Sequence, residues 1–489
     1  MRRARAAWMK FLATRVVGAA ADAAIIALGY FSAVALRFDF VEPTSIGGWG
    51  SVLLLYVNVA VIYLAALFVS GCYRLPWRRT TAAEIPRYLA ATFAATVVLT
   101  LMRFHLPNVA LSHVRPPYSI TAISFFLTSA GVVAIRMLWR FWWLARVREE
   151  DLLERREQRF GGAAARRFLA GRTVMVTGAG GSIGSEIVRQ VFAAGAAKVL
   201  MVERGENALY EIDREIGALR PEGPRARTET DGDALRPEGP RAVCLPLMID
   251  LNEREKIEKV FAEHRPEIVL HAAAYKHVPM VEANPEEGWR NNVEATKSLA
   301  ELSIEYGVKR FVLISTDKAV NPVSVMGKTK LAAERAVMAM NQLSTLNPQP
   351  STLNSQPSFC AVRFGNVLGS SGSVVPLFRE QIAKKKPITV TDPGMKRYFM
   401  TVSEAVALVL QAASREERAI YTLDMGEPVK IVDLAERMIE QAGYRPYVDI
   451  PIVFTGIRPG EKLFEEIDVS EKSCYKTDMA KIYVTKVEG

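Results

Sequence analysis

A chain of 489 residues is too long for one ordinary hydrophobic core and predicts two or three structural units. Its formal net charge is +10, but no recognised nucleic-acid-binding motif accompanies that charge, so a nucleic-acid partner is not expected. The 4 cysteines are scattered and form no CxxC pair, which argues against a metal site or a disulfide framework and fits a reducing compartment.

The first 145 residues are strongly apolar, whereas the remainder has the mixed composition of an α/β enzyme. Four apolar stretches approach the roughly 20 residues that a helix needs to cross a bilayer. They lie at about Val16–Leu36, Trp49–Val69, Tyr88–Met102 and Ile120–Ala134. The last two are short enough to be buried core helices instead. We predict a region of four transmembrane helices over residues 1–145, with the lipid bilayer as a partner.

Basic residues orient these predicted spans. They cluster before the first span, between the second and third, and after the fourth, whereas the other links hold little beyond Arg115. The positive-inside rule then predicts a multi-pass protein of the inner (plasma) membrane, with its N-terminus and C-terminal part in the cytoplasm. Asp22 lies inside the first span, where a polar contact between helices is at least as good an interpretation as a functional role.

A charged stretch of mixed sign, Arg146–Arg167, predicts a solvated helical connector within a linker over residues 146–171. From Thr173 onward, short apolar strands alternate with amphipathic helices, which is the pattern of a doubly wound parallel sheet. We therefore predict a Rossmann-type α/β domain over residues 172–363. A smaller, mainly substrate-binding subdomain is expected over residues 364–489.

Glycines with GxxGxxG spacing follow the first of these strands. The strand Val174–Val176 leads into Gly178, Gly181 and Gly184, and a helix is predicted from Ser185. Such a turn lets the backbone approach a pyrophosphate closely and directs helix N–H groups towards it. The segment predicts a dinucleotide site.

The next strand ends at Glu203, about 20 residues beyond the glycines, where an acid binds the ribose hydroxyls of NAD. Arg204 is placed where an arginine binds the 2′-phosphate of NADP, so NADP remains the less favoured alternative. Asp250 and Leu251 follow a third strand and are expected at the adenine, while small residues after a fourth strand allow a flat cofactor to lie against the backbone. His271 by itself is expected to be a packed core histidine. The full set of predicted cofactor contacts is Gly178, Gly181, Ser182, Ile183, Gly184, Glu203, Arg204, Asp250, Leu251, Ala272, Ala274, Ser315 and Lys330.

Two regions are predicted to be exposed, flexible insertions rich in proline and polar residues. Ala218–Ala226 and Ala234–Ala242 are identical in sequence, and Ser344–Pro357 contains Ser-Thr-Leu-Asn-x-Gln-Pro twice.

A fifth apolar strand delivers Ser315 to a loop, and the helix that follows carries Met326 and Lys330 four places apart. In most nucleotide-sugar enzymes with this layout the first member of that pair is a tyrosine, which carries a proton. A thioether cannot titrate. Either the protein is catalytically inactive, or the residues of the segment Thr316–Lys318 transfer the protons of the reaction.

At this point the sequence resembles a known family. The segments that carry the resemblance are Thr177–Glu186, His271–Glu282, Ser315–Lys330, Arg363–Pro376 and Arg458–Glu465. They resemble the extended short-chain dehydrogenase/reductase superfamily and, more narrowly, its membrane-bound CapD-type polysaccharide-biosynthesis proteins, which are UDP-N-acetylglucosamine 4,6-dehydratases. The resemblance covers essentially the whole chain, because that family also carries four N-terminal spans. Longer members have an extra nucleotide-binding-like domain where this chain has only about Arg146–Gly171.

The resemblance implies a reaction in which hydride leaves sugar C4 for NAD, water is eliminated across C5–C6, and the hydride returns to C6. It implies Asp317 as the acid at C6, Lys318 as the base at C5 and Thr316 near the C4 oxygen. Lys330 would hold the nicotinamide ribose. Met326 either packs beside the sugar, which leaves deprotonation of the C4 hydroxyl to Thr316 or water, or is an ordinary core methionine of an amphipathic helix. A basic lysine needs a lowered pKa, which a neighbouring carboxylate opposes, so desolvation or a protonated Asp317 is required.

A UDP-sugar substrate, UDP-N-acetylglucosamine or a relative, is expected at the C-terminal part, and a homo-oligomer is expected. The predicted substrate contacts are Lys276, His277, Asn366, Arg397, Arg458 and Glu461. Two other functions remain open. One is a UDP-sugar 4-epimerase, which normally needs the tyrosine that position 326 lacks. The other is a catalytically inactive membrane scaffold that binds NAD and a nucleotide sugar.

Overall fold

The computed structural model describes residues 2–39, 43, 48–73, 84–105, 116–146, 163–219, 242–346, 357–466 and 473–486. The chain forms two compact units, residues 1–148 with 436–450, and residues 149–435 with 451–489. Most of the predicted connector and of the duplicated insertion lies outside the described residues. Within the second predicted insertion, Ser344–Leu346 forms the end of a long helix rather than a loop, and residues 347–356 lie outside the described part.

Four long helices make up most of the first unit. They are α1 (Arg2–Arg37), α2 (Gly48–Val69), α3 (Ile85–His105) and α4 (Tyr118–Arg146). Each contains a stretch of 20 to 22 residues that is long and apolar enough to cross a membrane, so the prediction of four such helices is confirmed. Only 28 to 33% of the residues in these stretches are buried within the protein, which leaves most apolar side chains on the outer surface. Such a surface suits a bilayer rather than water.

Asp22, whose role the sequence left open, forms a buried ion pair with Arg136. The guanidinium donates to both carboxylate oxygens, at 2.7 and 2.6 Å, and both side chains are 0% exposed. The Tyr73 hydroxyl donates to the same carboxylate at 2.7 Å, and the guanidinium lies 4.5 Å from the centroid of the Tyr88 ring. The pair therefore joins α1 to α4 and draws in side chains from α3 and from the turn after α2.

Neutralising only one partner of this pair is expected to destabilise the helical unit strongly, because the remaining charge stays buried without its counter-charge. We expect Asp22→Asn or Arg136→Met to lower the free energy of unfolding by about 3–5 kcal/mol. The double substitution should cost less than the two single costs together. Thermal unfolding in detergent measures this. The control is Arg87→Gln, which removes the exposed ion pair with Glu84 and should cost about 0–1 kcal/mol. Single substitutions no more harmful than this control would contradict the assignment.

The second unit has α/β architecture. Its helices are α5 (Ala163–Leu169), α6 (Ser182–Ala193), α7 (Glu206–Leu219), α8 (Arg254–His264), α9 (Val278–Ala283), α10 (Pro285–Trp289), α11 (Ala295–Glu305), α12 (Val325–Leu346), α13 (Val374–Ala383), α14 (Val402–Ala413) and α15 (Ile431–Gln441), whose C-terminal half belongs to the first unit. A π-helical turn covers Arg290–Glu294 and a 3₁₀ turn covers Asp317–Ala319.

The strands of the main sheet are β1 (Thr173–Thr177), β2 (Lys198–Glu203), β3 (Val243–Met248), β4 (Ile268–His271), β5 (Arg310–Ile314), β6 (Ser358–Arg363), β11 (Ile420–Leu423), β14 (Cys474–Lys476) and β15 (Ile482–Thr485). Three strand pairs lie outside it, formed by β7 (Asn366–Val367) with β10 (Phe399–Met400), β9 (Lys396–Arg397) with β12 (Val429–Lys430), and β8 (Ile388–Val390) with β13 (Ile452–Phe454).

The main sheet has nine strands in the order β14-β15-β11-β6-β5-β4-β1-β2-β3. The seven strands from β11 to β3 are mutually parallel, but β15 is antiparallel to β11, and β14 is antiparallel to β15. The predicted doubly wound parallel sheet is thus confirmed for the strands within residues 172–363, and β14 and β15 add an antiparallel edge to it. The five residues between β14 and β15 suffice for a hairpin but not for a parallel crossover. Strands from both sides of residue 363 share this sheet.

Helices cover both faces of the sheet, so the central strands are buried on both sides. In β1, Val174 and Val176 belong to one core layer and Met175 to the other. This alternation explains why the strand is a continuous apolar run rather than a polar–apolar repeat. The parallel strands bring the loops that follow β1, β4, β5 and β6 to one edge, where open α/β sheets bind their ligands.

Candidate active site

The glycine loop after β1 folds into a tight cradle. Gly178 has φ +67°, and α6 begins at Ser182, three residues earlier than the predicted Ser185, because Gly181 already serves as the N-cap (φ −71°, ψ 165°). A Cβ atom on Gly184 would lie 1.9 Å from the carbonyl oxygen of Gly178, a contact that no side chain can make. The loop and the first turn of α6 therefore pack directly together and leave backbone N–H groups of the helix start for an anion.

Glu203 and Arg204 lie at the end of β2 beside this cradle. The Glu203 carboxylate accepts hydrogen bonds from the backbone N–H groups of Gly180 (3.2 Å) and Gly205 (3.0 Å). The Arg204 guanidinium donates to the Tyr275 hydroxyl at 2.6 Å and lies 3.9 Å from the Asp250 carboxylate. One cavity brings together eight of the predicted cofactor residues: Gly178, Gly181, Glu203, Arg204, Asp250, Leu251, Ala272 and Ala274.

A second cavity adjoins the first, and Gly181, Ala272 and Ala274 line both. The predicted residues Ser182, Ile183, Gly184, Lys276 and His277 also line it. The loop before α13 closes one side, because the N–H of Ser371 donates to the Ser182 hydroxyl at 3.0 Å. The two cavities together give a path from the end of β2 across the glycine loop to the segment after β4.

The loop after β5 holds the three predicted proton-transfer residues in one hydrogen-bonded cluster. The Thr316 hydroxyl donates to Oδ1 of Asp317 at 2.8 Å, and the Lys318 ammonium donates to the same oxygen at 3.0 Å. Asp317 is 2% exposed. Among the described residues, none donates a hydrogen bond to its other oxygen, Oδ2. Most buried polar atoms have a hydrogen-bond partner, so this oxygen is an exception within the cluster.

Lys318 is surrounded by acceptors. Its Nζ atom lies 3.2 Å from Oδ1 of Asn366 and 3.5 Å from the Glu465 carboxylate. Burial lowers the pKa of Lys318, but the carboxylates of Asp317 and Glu465 outweigh burial and raise the pKa above its ordinary value. The arrangement favours the ammonium form, which opposes the base role implied for this residue unless the cluster loses negative charge.

Met326 and Lys330 lie one turn apart on α12, and both are buried. The Lys330 ammonium donates to the carbonyl of Ile314 at 2.6 Å, and burial lowers its pKa to about 8. Gly327 allows α12 to approach the loop after β5, since a Cβ atom there would lie 2.4 Å from the Lys318 carbonyl oxygen. The methionine thus occupies the tyrosine position in a helix that is tightly docked on the loop.

The predicted substrate residues of the C-terminal part have different surroundings. Asn366 contacts Lys318, as described. The Arg397 guanidinium donates to the backbone carbonyls of Lys396, Lys462 and Leu463 at 2.7–3.1 Å, so its donors hold the chain together rather than lying open to a diphosphate. Arg458 is exposed, and its carbonyl accepts from the N–H of Glu461 at 3.1 Å.

His271 is a core residue, as predicted. Its Nδ1 and Nε2 atoms lie 2.7 Å from the Thr177 hydroxyl and 2.8 Å from the Thr296 hydroxyl. The Thr296 hydroxyl donates to the carbonyl of Asn292 and must therefore accept from His271, which assigns the proton to Nε2. Burial, with a smaller effect of Lys330, lowers the histidine pKa to about 3, so the ring is neutral.

Sequence reasoning missed three charged residues of this region. Glu465 lies 3.5 Å from Lys318 and 3.6 Å from Arg397, and Glu334 forms a buried pair with Arg363 behind the loop. The helical spacing of Glu334, four residues after Lys330, was the one available signal. The partners of Glu465 come from distant parts of the chain and left no local pattern.

Residues 174–487 match the family model described as polysaccharide biosynthesis protein. The chain belongs to this family. Its members of CapD/EpsC type are extended short-chain dehydrogenases/reductases with N-terminal hydrophobic helices, as the sequence predicted. The probable polysaccharide biosynthesis protein EpsC of Bacillus subtilis is 45% identical over 70% of this chain and 53% of the relative. The chain thus spans about half the length of such curated relatives.

Two relatives with different activities are equally similar to this chain. A UDP-N-acetylglucosamine 4,6-dehydratase (inverting) of Campylobacter jejuni is 33% identical over 47% of this chain and 65% of the relative. A UDP-glucose 4-epimerase of Rickettsia canadensis is also 33% identical, over 47% of this chain and 63% of the relative. Among solved structures, Pen from Bacillus thuringiensis aligns with a TM-score of 0.54 and 28% identity over 65% of this chain and 90% of that chain. Similarity alone therefore leaves the choice of reaction open.

Proposed function

We propose that the protein is an NAD-dependent UDP-N-acetylglucosamine 4,6-dehydratase that serves polysaccharide or glycan biosynthesis. One observation carries the proposal. The tyrosine position of α12 holds the non-titrating Met326, while Thr316, Asp317 and Lys318 form a hydrogen-bonded proton-transfer cluster on the adjacent loop. Epimerisation needs one proton carrier at C4, whereas elimination needs an acid and a base at neighbouring carbons, and this loop supplies both.

The glycine cradle and its two joined cavities fit a dinucleotide. Residues of the α6 N-terminus would bind the pyrophosphate, and Glu203 would bind the adenosine ribose. The hydrogen bond from Arg204 to Tyr275 and its proximity to Asp250 support NAD over NADP, because a 2′-phosphate would compete with these acidic and phenolic partners. NAD supplies a reversible hydride acceptor when bound. Lys330 would hold the nicotinamide ribose.

The acid and the base of the elimination would be neighbouring side chains. Asp317 would protonate the leaving C6 hydroxyl through Oδ2, the oxygen without a donor among the described residues. Lys318 would take the C5 proton. The ion pair of these residues supplies an acid and a base in its neutral form, in which Asp317 carries a proton and Lys318 is an amine. Substrate binding that excludes water favours this neutral pair, because burial disfavours both charges.

The epimerase remains the second candidate, since a 4-epimerase is as similar to this chain as a dehydratase is. The inactive scaffold is the third, and the intact cluster of Thr316, Asp317, Lys318 and Lys330 weighs against it. The four long apolar helices and the distribution of basic residues support a membrane protein whose catalytic unit lies in the cytoplasm. Assembly as a homo-oligomer stays a prediction.

Mass spectrometry tests the proposal directly. Purified protein incubated with UDP-N-acetylglucosamine should yield a product that has lost one water, and Lys318→Ala should form little of it. A wild-type product of unchanged mass but altered stereochemistry at C4 would establish the epimerase instead. Full water loss by Lys318→Ala would remove this lysine from the role of base.

A further inference from the structure

Glu334 and Arg363 form a buried ion pair directly behind the catalytic loop. The Arg363 guanidinium donates to both carboxylate oxygens through Nε (2.8 Å) and Nη2 (2.6 Å), and the exposed fractions of the Arg363 and Glu334 side chains are 11% and 0%. The Ser315 hydroxyl donates to the same carboxylate at 2.5 Å. Three elements, β5, β6 and α12, therefore meet at this one carboxylate.

Two side chains of α12, one helical turn apart, form hydrogen bonds with residues at the end of β5. Lys330 donates to the carbonyl of Ile314, and Glu334 accepts from the side chain of Ser315. Backbone hydrogen bonds also attach the loop to the end of β6. The N–H groups of Ser315 and Asp317 donate to carbonyls there at 2.8 and 3.0 Å. The start of the catalytic loop is thus fixed on both sides before Thr316 is reached.

Stability alone does not explain a charge pair at this place. A buried ion pair loses about as much by desolvation as it gains by attraction, and well-packed apolar residues often replace one without loss. A carboxylate here does two things that an apolar residue cannot do. It fixes the orientation of the Ser315 hydroxyl, and it adds negative charge near Lys330.

We propose that Glu334 is a positioning residue, which, paired with Arg363, holds Ser315 and the loop after it and places a negative charge near Lys330. The role of that loop rests on the proposed function. Burial lowers the pKa of Lys330, and the charge of Glu334 partly opposes that shift. His271, whose pKa Lys330 helps to lower, is neutral and so does not offset the charge of Glu334.

The test is the pH dependence of the first hydride transfer, followed as reduction of bound NAD on addition of UDP-N-acetylglucosamine. Glu334→Gln should slow this step about tenfold or more with little change in KM, because the loop is misplaced. It should also move the alkaline limb of the profile to lower pH, because Lys330 loses its supporting charge. Arg363→Met, which leaves the carboxylate uncompensated, should move the limb in the opposite direction. Glu334→Asp should restore part of the rate.

The matched control is Glu215→Gln, which removes an equally close but exposed carboxylate–arginine pair with Arg189 and should change neither rate nor limb. The double variant Glu334→Gln/Arg363→Met guards against misfolding caused by one unpaired charge, and its limb should still move to lower pH. A slower Glu334→Gln with an unmoved limb would overturn the effect on Lys330, and an unchanged rate would overturn the positioning role.

Failure of the proposed function gives a different pattern. A wild-type protein that reduces NAD without losing water leaves the Glu334 test intact. If it does not reduce NAD at all, the proposed function is wrong. The pH dependence of NAD binding is then measured in place of the rate of hydride transfer. Its alkaline limb should again move to lower pH in Glu334→Gln and to higher pH in Arg363→Met.

Discussion

Replacement of Asp317 by asparagine is expected to stop the reaction after the first hydride transfer. An amide cannot protonate the C6 hydroxyl, so water loss should fall roughly 10²- to 10⁴-fold, the usual contribution of a general acid. Oxidation at C4 needs no acid at C6, so reduced nicotinamide should accumulate on the enzyme. Single-turnover absorbance of the reduced cofactor, combined with mass spectrometry of the quenched sugar, measures both quantities.

The control for this variant is Asp433→Asn, an exposed position in the first turn of α15, which should behave as the wild type does. Water loss at the wild-type rate in Asp317→Asn would exclude this residue as the acid. A variant that forms neither reduced cofactor nor product would show instead that Asp317 already takes part in oxidation, as acceptor of the proton that Thr316 removes from the C4 hydroxyl.

The rate of hydride transfer is expected to fall as the pH rises through about 8. Lys330, whose pKa burial lowers to about 8, is an ammonium below that value and a neutral amine above it. We propose that this positive charge acts near the nicotinamide ribose, so activity belongs to the protonated form and is lost on the alkaline side. Lys318 does not explain this limb, because its raised pKa keeps it charged over the same range.

Substitutions at position 330 separate the charge from the hydrogen bond. Lys330→Met should lower the rate by roughly 10²-fold at neutral pH, the scale of one preorganised electrostatic contact. Lys330→Arg keeps its charge at any accessible pH, so a slower enzyme without the alkaline limb is expected. The rate of hydride transfer, measured between about pH 6 and about pH 10, decides between these outcomes. An unchanged limb in Lys330→Arg would assign the titration to another group.

Local patterns were sufficient to predict much of the fold. The length of the apolar stretches alone predicted the four long helices. The spacing of strand, glycines and helix predicted the tight turn around Gly178 and Gly184. Both signals lie within one or two elements, where the residues that make the contacts are neighbours in sequence. The prediction of a core role for His271 succeeded for a related reason, since its strand was apolar enough to be buried on both faces.

Contacts between distant segments were not predictable from the sequence. Nothing near Arg397 in sequence indicates that its donors go to the carbonyls of residues 462 and 463. The same holds for Glu465, which meets Lys318 only in the folded chain. The antiparallel edge formed by β14 and β15 was missed because two short strands joined by a five-residue link carry little information on direction.

The oxygen Oδ1 of Asp317 accepts hydrogen bonds from both Thr316 and Lys318, so a substitution of any one of the three residues changes the contacts of the other two. A loss of rate that Asp317→Asn and Lys318→Ala have in common therefore reports one shared network of contacts rather than two independent residues.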